Sequence, residues 1–411
     1  MSAPQPPEWQ SRPTGRKTFE YVVIPPADGR ASTWQTPPAP APVAARTAMA
    51  ATVLVSIGIA LAALLLFAVI AYLVLALGFG SVIIAAIAAL IPLAIVVLVI
   101  RWIDRWEPEP RAALLFAALW GAGVAVAGAL IFDLGVQIAT AVAGTAPQNE
   151  VLQAVVQAPL VEEGLKGFGV LIILWVGRRY IDGPIDGLVY AATLAAGFAF
   201  TENVLYFGSA IVEGGVGSLI PVFIARGLFS PFAHVIFTSC TGLALGYGSR
   251  RTAGPALFGW YLIGLIPAVA LHALWNGALY VVQDVIGYYL LVQVPIFAAW
   301  IVLIVLLRRA ERRMTGERLA EYATVGWFTP AEVSLVSSPA GRRTGLAWAR
   351  SQPARPGAPD KVTAMKAFVR DSTRLAHTRQ RVLRGRAAIG ATPDERALLD
   401  AVVADRRALL A

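Results

Sequence analysis

The chain of 411 residues has one cysteine, three histidines and only 14% charged side chains, and each scarcity excludes something. A lone Cys240, set in an apolar run, can form neither an internal disulfide nor a cysteine-rich metal site, and it offers no basis for redox chemistry. Soluble domains carry about 25% charged residues. At 57% hydrophobic residues and a mean hydropathy of +0.66, this chain is not a soluble enzyme. HExxH, GxSxG and GxGD are absent, so three routes to hydrolysis inside a membrane lack support, and no Walker or Rossmann fingerprint stands out. The net charge of +9 is no sign of a nucleic-acid partner, because residues 310–411 alone hold 18 basic and 10 acidic side chains. The basicity sits in one tail, and no nucleic acid is expected.

What the sequence does have is apolar length. Runs of roughly 20 residues recur between positions 48 and 307, and each can cross a bilayer core. They predict an all-α polytopic bundle of about eight transmembrane helices, near residues 49–77, 81–101, 112–132, 155–177, 187–208, 231–248, 256–282 and 288–307. In the sixth, Ser230 then Pro231 reads as N-cap and first helical residue, leaving 218–229, with Arg226, as an interfacial or re-entrant piece. Residues 1–47 are proline-rich and read as a disordered arm. The first apolar run is too long for a signal-peptide core and is expected to remain as an anchor.

Arginines fix the expected orientation, since short cytoplasmic loops collect basic residues. Arg101, Arg105 and Arg111, then Arg178 and Arg179, then Arg250 and Arg251, then Arg308, Arg309, Arg312 and Arg313 occupy every second connection. The alternate loops hold only Arg226. Both termini are therefore expected in the cytoplasm. Residues 48–309 form the membrane domain in this reading and 310–360 a cytoplasmic linker. Residues 361–411 form a helical hairpin, split at Gly390, with a capping box at Thr392-Pro-Asp-Glu395. The hairpin packs on itself or a partner, or lies as a basic amphipathic helix on anionic lipid.

Ionisable groups inside a membrane cost about 2.5–3.5 kcal/mol each at the bilayer centre and mark function by default. The fourth run carries Glu162, Glu163 and Lys166, the fifth Glu202 and Asn203, the sixth His234, and the seventh His272 and Asn276. At 1.5 Å per residue, Glu162 lies roughly 10 Å, Glu202 about 9 Å, His234 about 5 Å and His272 about 15 Å from the outer ends of their helices. One shared depth on helices of alternating direction points to one site, open outward. Within the fourth helix Lys166 lies three and four residues from the glutamates and shares their face. Asn276 relates to His272 in the same way. A Glu–Lys ion pair that only fixes packing would not explain a second, adjacent carboxylate. Two imidazoles and one carboxylate from three helices suit a catalytic zinc with a position left for water, and a further glutamate can take that water's proton. Asp133, Asp284, Asp182 and Asp186 read as helix-end or turn residues, Asp186 as a cap.

Several short motifs together resemble the PrsW family of membrane-embedded proteases, distantly similar to the CAAX prenyl proteases. They are Asp104-Arg-Trp-Glu-Pro-Glu-Pro110 with Trp120-Gly121, Glu162-Glu163-Gly-Leu-Lys166, Asp186-Gly-Leu-Val-Tyr190 running into Gly197-Phe198-Ala-Phe-Thr-Glu202-Asn203, and the histidines His234 and His272. The resemblance covers roughly residues 100–305. It implies cleavage of membrane-anchored regulators, typically the first, extracytoplasmic cut of an anti-sigma factor, by a multi-pass protein of the plasma membrane. Its paired glutamates fall on Glu162 and Glu163, its Phe-x-x-x-Glu-Asn motif on Phe198, Glu202 and Asn203, and its later histidines on His234 and His272.

Combined with the residue reading, Glu162 is the expected general base, positioned by Glu163 and Lys166. Glu202, His234 and His272 hold zinc or, without metal, share the substrate carbonyl with Asn276. The CAAX relatives have arginine and histidine where this chain has Lys166 and Glu202. The expected partners are a membrane-anchored protein substrate and the lipid bilayer. Two other classes compete: a proton- or ion-coupled transporter, which needs polar groups through the inner half of the same helices, and an inactive scaffold whose working part is the tail.

Overall fold

The computed structural model describes residues 43–106, 108–144, 149–176, 181, 183–252, 254–353, 359–383 and 391–410. Most of the proline-rich arm, Glu107, Arg178, Arg179, Asp182 and Gly390 lie outside them. The described residues contain helices and no strand. They divide into two compact units, 52–309 and one that includes 310–411.

The first unit contains most of α1 (Val43–Leu77), then α2 (Phe79–Asp104), α3 (Arg111–Ala143), α4 (Ala158–Val176), α5 (Pro184–Gly214), α6 (Val216–Phe223), α7 (Ala233–Ser249), α8 (Leu257–Val281) and most of the apolar part of α9 (Val294–Thr324). Seven described stretches are long and apolar enough to cross a membrane: α1, α2, α3, α5, α6 continuing towards α7, α8 and α9. The eighth expected span is α4. It has 19 residues, and Glu162, Glu163 and Lys166 reduce its apolar character. Large side chains such as Leu64, Phe67, Ile87 and Ile131 are exposed around the unit. That is the surface lipid requires, since each helix satisfies its own backbone and side chains face hydrocarbon.

Helix α5 is the centre of this unit. Tyr190 and Leu194 join one buried cluster, Phe198 and Phe207 a second, and Val189 and Ala192 a third. Its neighbours come close because the contact residues are small. A Cβ on Gly121 of α3 would lie 1.9 Å from the Leu194 carbonyl oxygen, and one on Gly187 would lie 2.1 Å from that of Gly242 in α7. Gly183 N–H donates to Asp186 Oδ2 (2.8 Å), so Asp186 caps α5 as the sequence suggested.

Four of these helices contain or adjoin a local π turn, one of them α9, which follows Tyr289–Gln293. Trp120–Ala125 interrupts α3, Gln153–Gln157 leads into α4, and Ile224–Phe229 follows α6. Ser230 does not cap α7. Its hydroxyl donates back to the Ala225 carbonyl (2.7 Å), and Pro231 and Phe232 form a turn before α7 starts at Ala233. Residues 218–229, expected as an interfacial or re-entrant piece, are helical. Asp133 receives the amides of Gln137 (2.8 Å), Gln153 and Gln157, and Asp284 caps a short helix through Gly287 N–H (2.9 Å).

In the second unit the expected linker 310–360 is largely helical. It contains the end of α9, α10 (Pro330–Ser337) and α11 (Pro339–Ser351), followed by α12 (Lys361–Leu383) and α13 (Ala391–Leu410). Leu319, Phe328, Leu335 and Val336 share one buried core with Phe368, Leu375, Val402 and Leu409. Those dispersed apolar residues bury one another, and the capping box Thr329-Pro-Ala-Glu332, whose reciprocal bonds are present, starts α10. The side chains of 391–394, where a second box was expected, lie outside the described residues.

Candidate active site

Helix α4 reaches the site by strong anchoring of its own backbone. Trp120 Nε1 donates to the Leu165 carbonyl (3.0 Å), and Tyr261 Oη donates to that of Gly164 (3.0 Å). The turn around these anchors carries Glu162, Glu163 and Lys166 towards α5, α7 and α8.

Lys166 is fully buried, and its ammonium has three N–H donors to place. Its Nζ lies 2.9 Å from Glu163 Oε1, 3.1 Å from Glu162 Oε2 and 3.2 Å from His234 Nδ1, with the Phe198 ring centroid 3.6 Å away. Glu163 is fully buried too. Besides Lys166 it receives Thr238 Oγ1 (2.8 Å) and lies 3.2 Å from His272 Nδ1. Glu162 differs in keeping 13% of its side chain exposed, and Lys166 is its ion-pair partner. Glu162 is thus open at the protein surface and Glu163 is not.

Glu202 meets the cluster from α5. Its Oε2 lies 2.7 Å from His234 Nε2 and 2.5 Å from Arg226 Nη2. A carboxylate only accepts and an ammonium only donates, so both imidazole tautomers follow from their neighbours. His234 carries its proton on Nε2 towards Glu202 and presents the Nδ1 lone pair to Lys166. His272 carries a proton on Nδ1 towards Glu163. The rings stand 5.1 Å apart at 87°, with Phe237 stacked on His272 at 4.9 Å.

The residues drawn from four helices therefore do converge, in a different grouping from the expected one. Glu162, His234 and His272 are the set whose ligand atoms all lie within 4.8 Å of one another. Glu202, expected with the two histidines, faces Arg226 and the outer nitrogen of His234. Asn276 is turned from the cluster, and its Nδ2 donates to the Ala154 carbonyl (2.8 Å), tying α8 to the π turn ahead of α4. Asn203 accepts from Arg226 Nε (3.1 Å), a bond between α5 and the neighbouring π turn. Two contributors were missed in the sequence. Thr238 lies four residues after His234 and so on its face, a readable signal. Arg226 stood out as the single arginine of the alternate loops, but nothing in its spacing pointed to Glu202.

A nitrogen and oxygen donor set of one carboxylate and two imidazoles suits zinc. Charge points the same way, since three carboxylates (Glu162, Glu163, Glu202) face two permanent cations (Lys166, Arg226). Among the described residues the carboxylates of the cluster thus outnumber its permanent cations by one.

Fold and site together define a polytopic all-α membrane protein with a buried carboxylate–histidine cluster spread over four helices. Over residues 109–300, slightly less than half of the chain, the sequence matches the family described as PrsW family intramembrane metalloprotease. Every residue of the cluster lies inside that stretch. The chain is 31% identical over 144 residues to Protease PrsW of Geobacillus kaustophilus, covering 35% of this chain and 57% of that relative. It is 31% identical over 154 residues to Protease PrsW of Clostridioides difficile (38% and 61%), and 31% identical over 130 residues to that of Bacillus subtilis (31% and 55%). The matches thus span little more than half the length of these relatives. No solved structure matches the chain.

Proposed function

We propose that this protein is an intramembrane endopeptidase that cuts membrane-anchored regulatory proteins of the anti-sigma-factor kind, near the outer face of the plasma membrane. The carrying observation is that the polar residues of four apolar helices form one contiguous cluster in which Glu162 is the partly exposed carboxylate of the α4 pair, inside the stretch similar to PrsW proteases. The arginine distribution supports an outward site with both termini cytoplasmic.

In this reading Glu162 takes the proton of the attacking water, because it is the exposed member of the pair. Glu163, held by Lys166, Thr238 and His272, fixes the turn from which Glu162 projects. Were zinc bound, Glu162, His234 and His272 would hold it, Glu162 then serving as a ligand in place of the base, and Glu163 and Glu202 would each orient one of the imidazoles from behind. When bound, the metal would supply Lewis acidity for a carbonyl and lower the pKa of water. Lys166 favours a second, metal-free reading, since its ammonium already lies between Glu162 and His234 Nδ1. There Glu162 is the base, and the site's N–H donors face the developing oxyanion.

The test is a purified, reconstituted protein given a single-span, membrane-anchored substrate. Wild type should release the substrate's outer domain and Glu162→Gln should not. Equal release by both proteins sinks the base assignment, and no release by wild type from any anchored substrate sinks the peptidase reading.

A further inference from the structure

Arg226 lies in the π turn Ile224–Phe229, between α6 and α7, in an otherwise apolar stretch. A charged group there is costly unless its donors are placed. The guanidinium is spent on one short run of α5. Nη2 donates to Glu202 (2.5 Å), Nε to Asn203 Oδ1 (3.1 Å), and its carbon lies 4.0 Å over the Tyr206 ring. This is a fork that lysine cannot reproduce, because three contacts in fixed directions need a planar, multi-donor group. Only 26% of the side chain remains exposed.

The oxygen of Glu202 that Arg226 holds is the one that meets His234 Nε2 at 2.7 Å. We infer that Arg226 is a positioning residue: it clamps Glu202 in the place from which Glu202 fixes the His234 tautomer and turns Nδ1 towards Glu162 and Lys166. The inference deepens the peptidase reading and rests on it for the kinetic consequence alone. Without the clamp Glu202 is free to leave Nε2, and His234 loses the partner that keeps its Nδ1 lone pair pointed inward. Outer partners of this kind are worth about 10–100-fold in activity or metal affinity.

The chain has three histidines, so the full-length protein labelled with ¹⁵N-histidine in nanodiscs gives few imidazole signals to assign. At one fixed pH, wild type should show His234 as the Nε2–H tautomer, and Arg226→Gln should show a mixture. Its kcat should fall about 10–100-fold with KM little changed. Arg226→Lys restores charge without the fork and should fall between the two in both readouts; it decides the matter if Arg226→Gln does not fold. A single unchanged His234 tautomer in the folded variants overturns the inference whatever the activity does. A raised KM with unchanged kcat overturns it too, by making Arg226 a substrate contact. Absence of cleavage by wild type would count against the peptidase reading, and the tautomer readout would still decide Arg226.

Discussion

At the scale of single residues, the site is governed by which donors and acceptors are saturated. Glu162→Gln keeps volume but cannot accept a proton, so we expect turnover to disappear while the protein stays folded. If zinc is held as proposed, His234→Ala and His272→Ala should empty the site, whereas Glu202→Gln, one bond further out, should weaken binding about 10–100-fold. Metal analysis of the purified variants checks this. Glu202→Gln as empty as the histidine variants would restore Glu202 to the ligand set, and an active wild type without metal would select the metal-free reading. Lys166→Met is a stability test. It leaves Glu163 buried without its ion-pair partner, a change worth about 3–5 kcal/mol, and thermal unfolding in detergent should show a large loss. Little change would mean that the Glu163 bonds to Thr238 and His272 suffice.

Among the elements, the approach of α5 to its neighbours positions everything else. Gly187→Ala would place a methyl 2.1 Å from the Gly242 carbonyl oxygen, and backbone cannot step aside as a flexible side chain does. Overpacking of this kind costs about 1–3 kcal/mol or more. The matched control is Gly259→Ala in α8, where an added Cβ meets nothing within 4 Å. Unfolding midpoints should drop for the first and hold for the second. Equal behaviour would show that the α5–α7 crossing relaxes easily.

For the whole molecule, the two units suggest separable work. Deleting residues 310–411 removes every residue of the second core and should leave cleavage by the reconstituted membrane unit intact. Deleting only 361–411 takes Phe368, Leu375, Val402 and Leu409 from Leu319, Phe328 and Leu335 and should leave an aggregating remnant. Similar behaviour of the two truncations would contradict a shared core. This unit also carries a pH signature in Asp405, whose carboxyl is pushed up to about 6, first by burial and then by neighbouring Asp371. A folded pKa above the unfolded value means that its contribution is complete below the ordinary aspartate range and is lost as pH rises through about 6. Asp405→Asn should therefore slow hydrogen exchange in α12 and α13 at neutral pH by the equivalent of ~1 kcal/mol, since the group is largely solvent-screened, and should flatten the pH dependence below 6. An unchanged pH dependence would assign the titration to another group.

By itself the sequence determined the membrane class, the helical content and which glutamates, lysine and histidines stand out in the apolar helices, but neither Thr238 nor Arg226 as their partners. Apolar length and the expense of charge in hydrocarbon are local properties that a linear reading can weigh. It also placed Lys166 beside both glutamates, because three- and four-residue spacing on a helix is geometry already present in the chain. Only the tertiary structure decided the partners. Whether Glu202 joins the imidazoles from the front or backs His234 depends on where α6 and its π turn deliver Arg226, and no periodicity encodes that. Asn276 shares the face of His272 by count, yet it bonds the Ala154 carbonyl, because the turn before α4 passes beside it. The tail's core was hidden for a related reason: its apolar residues are spread over short helices, and only packing reveals that they bury one another.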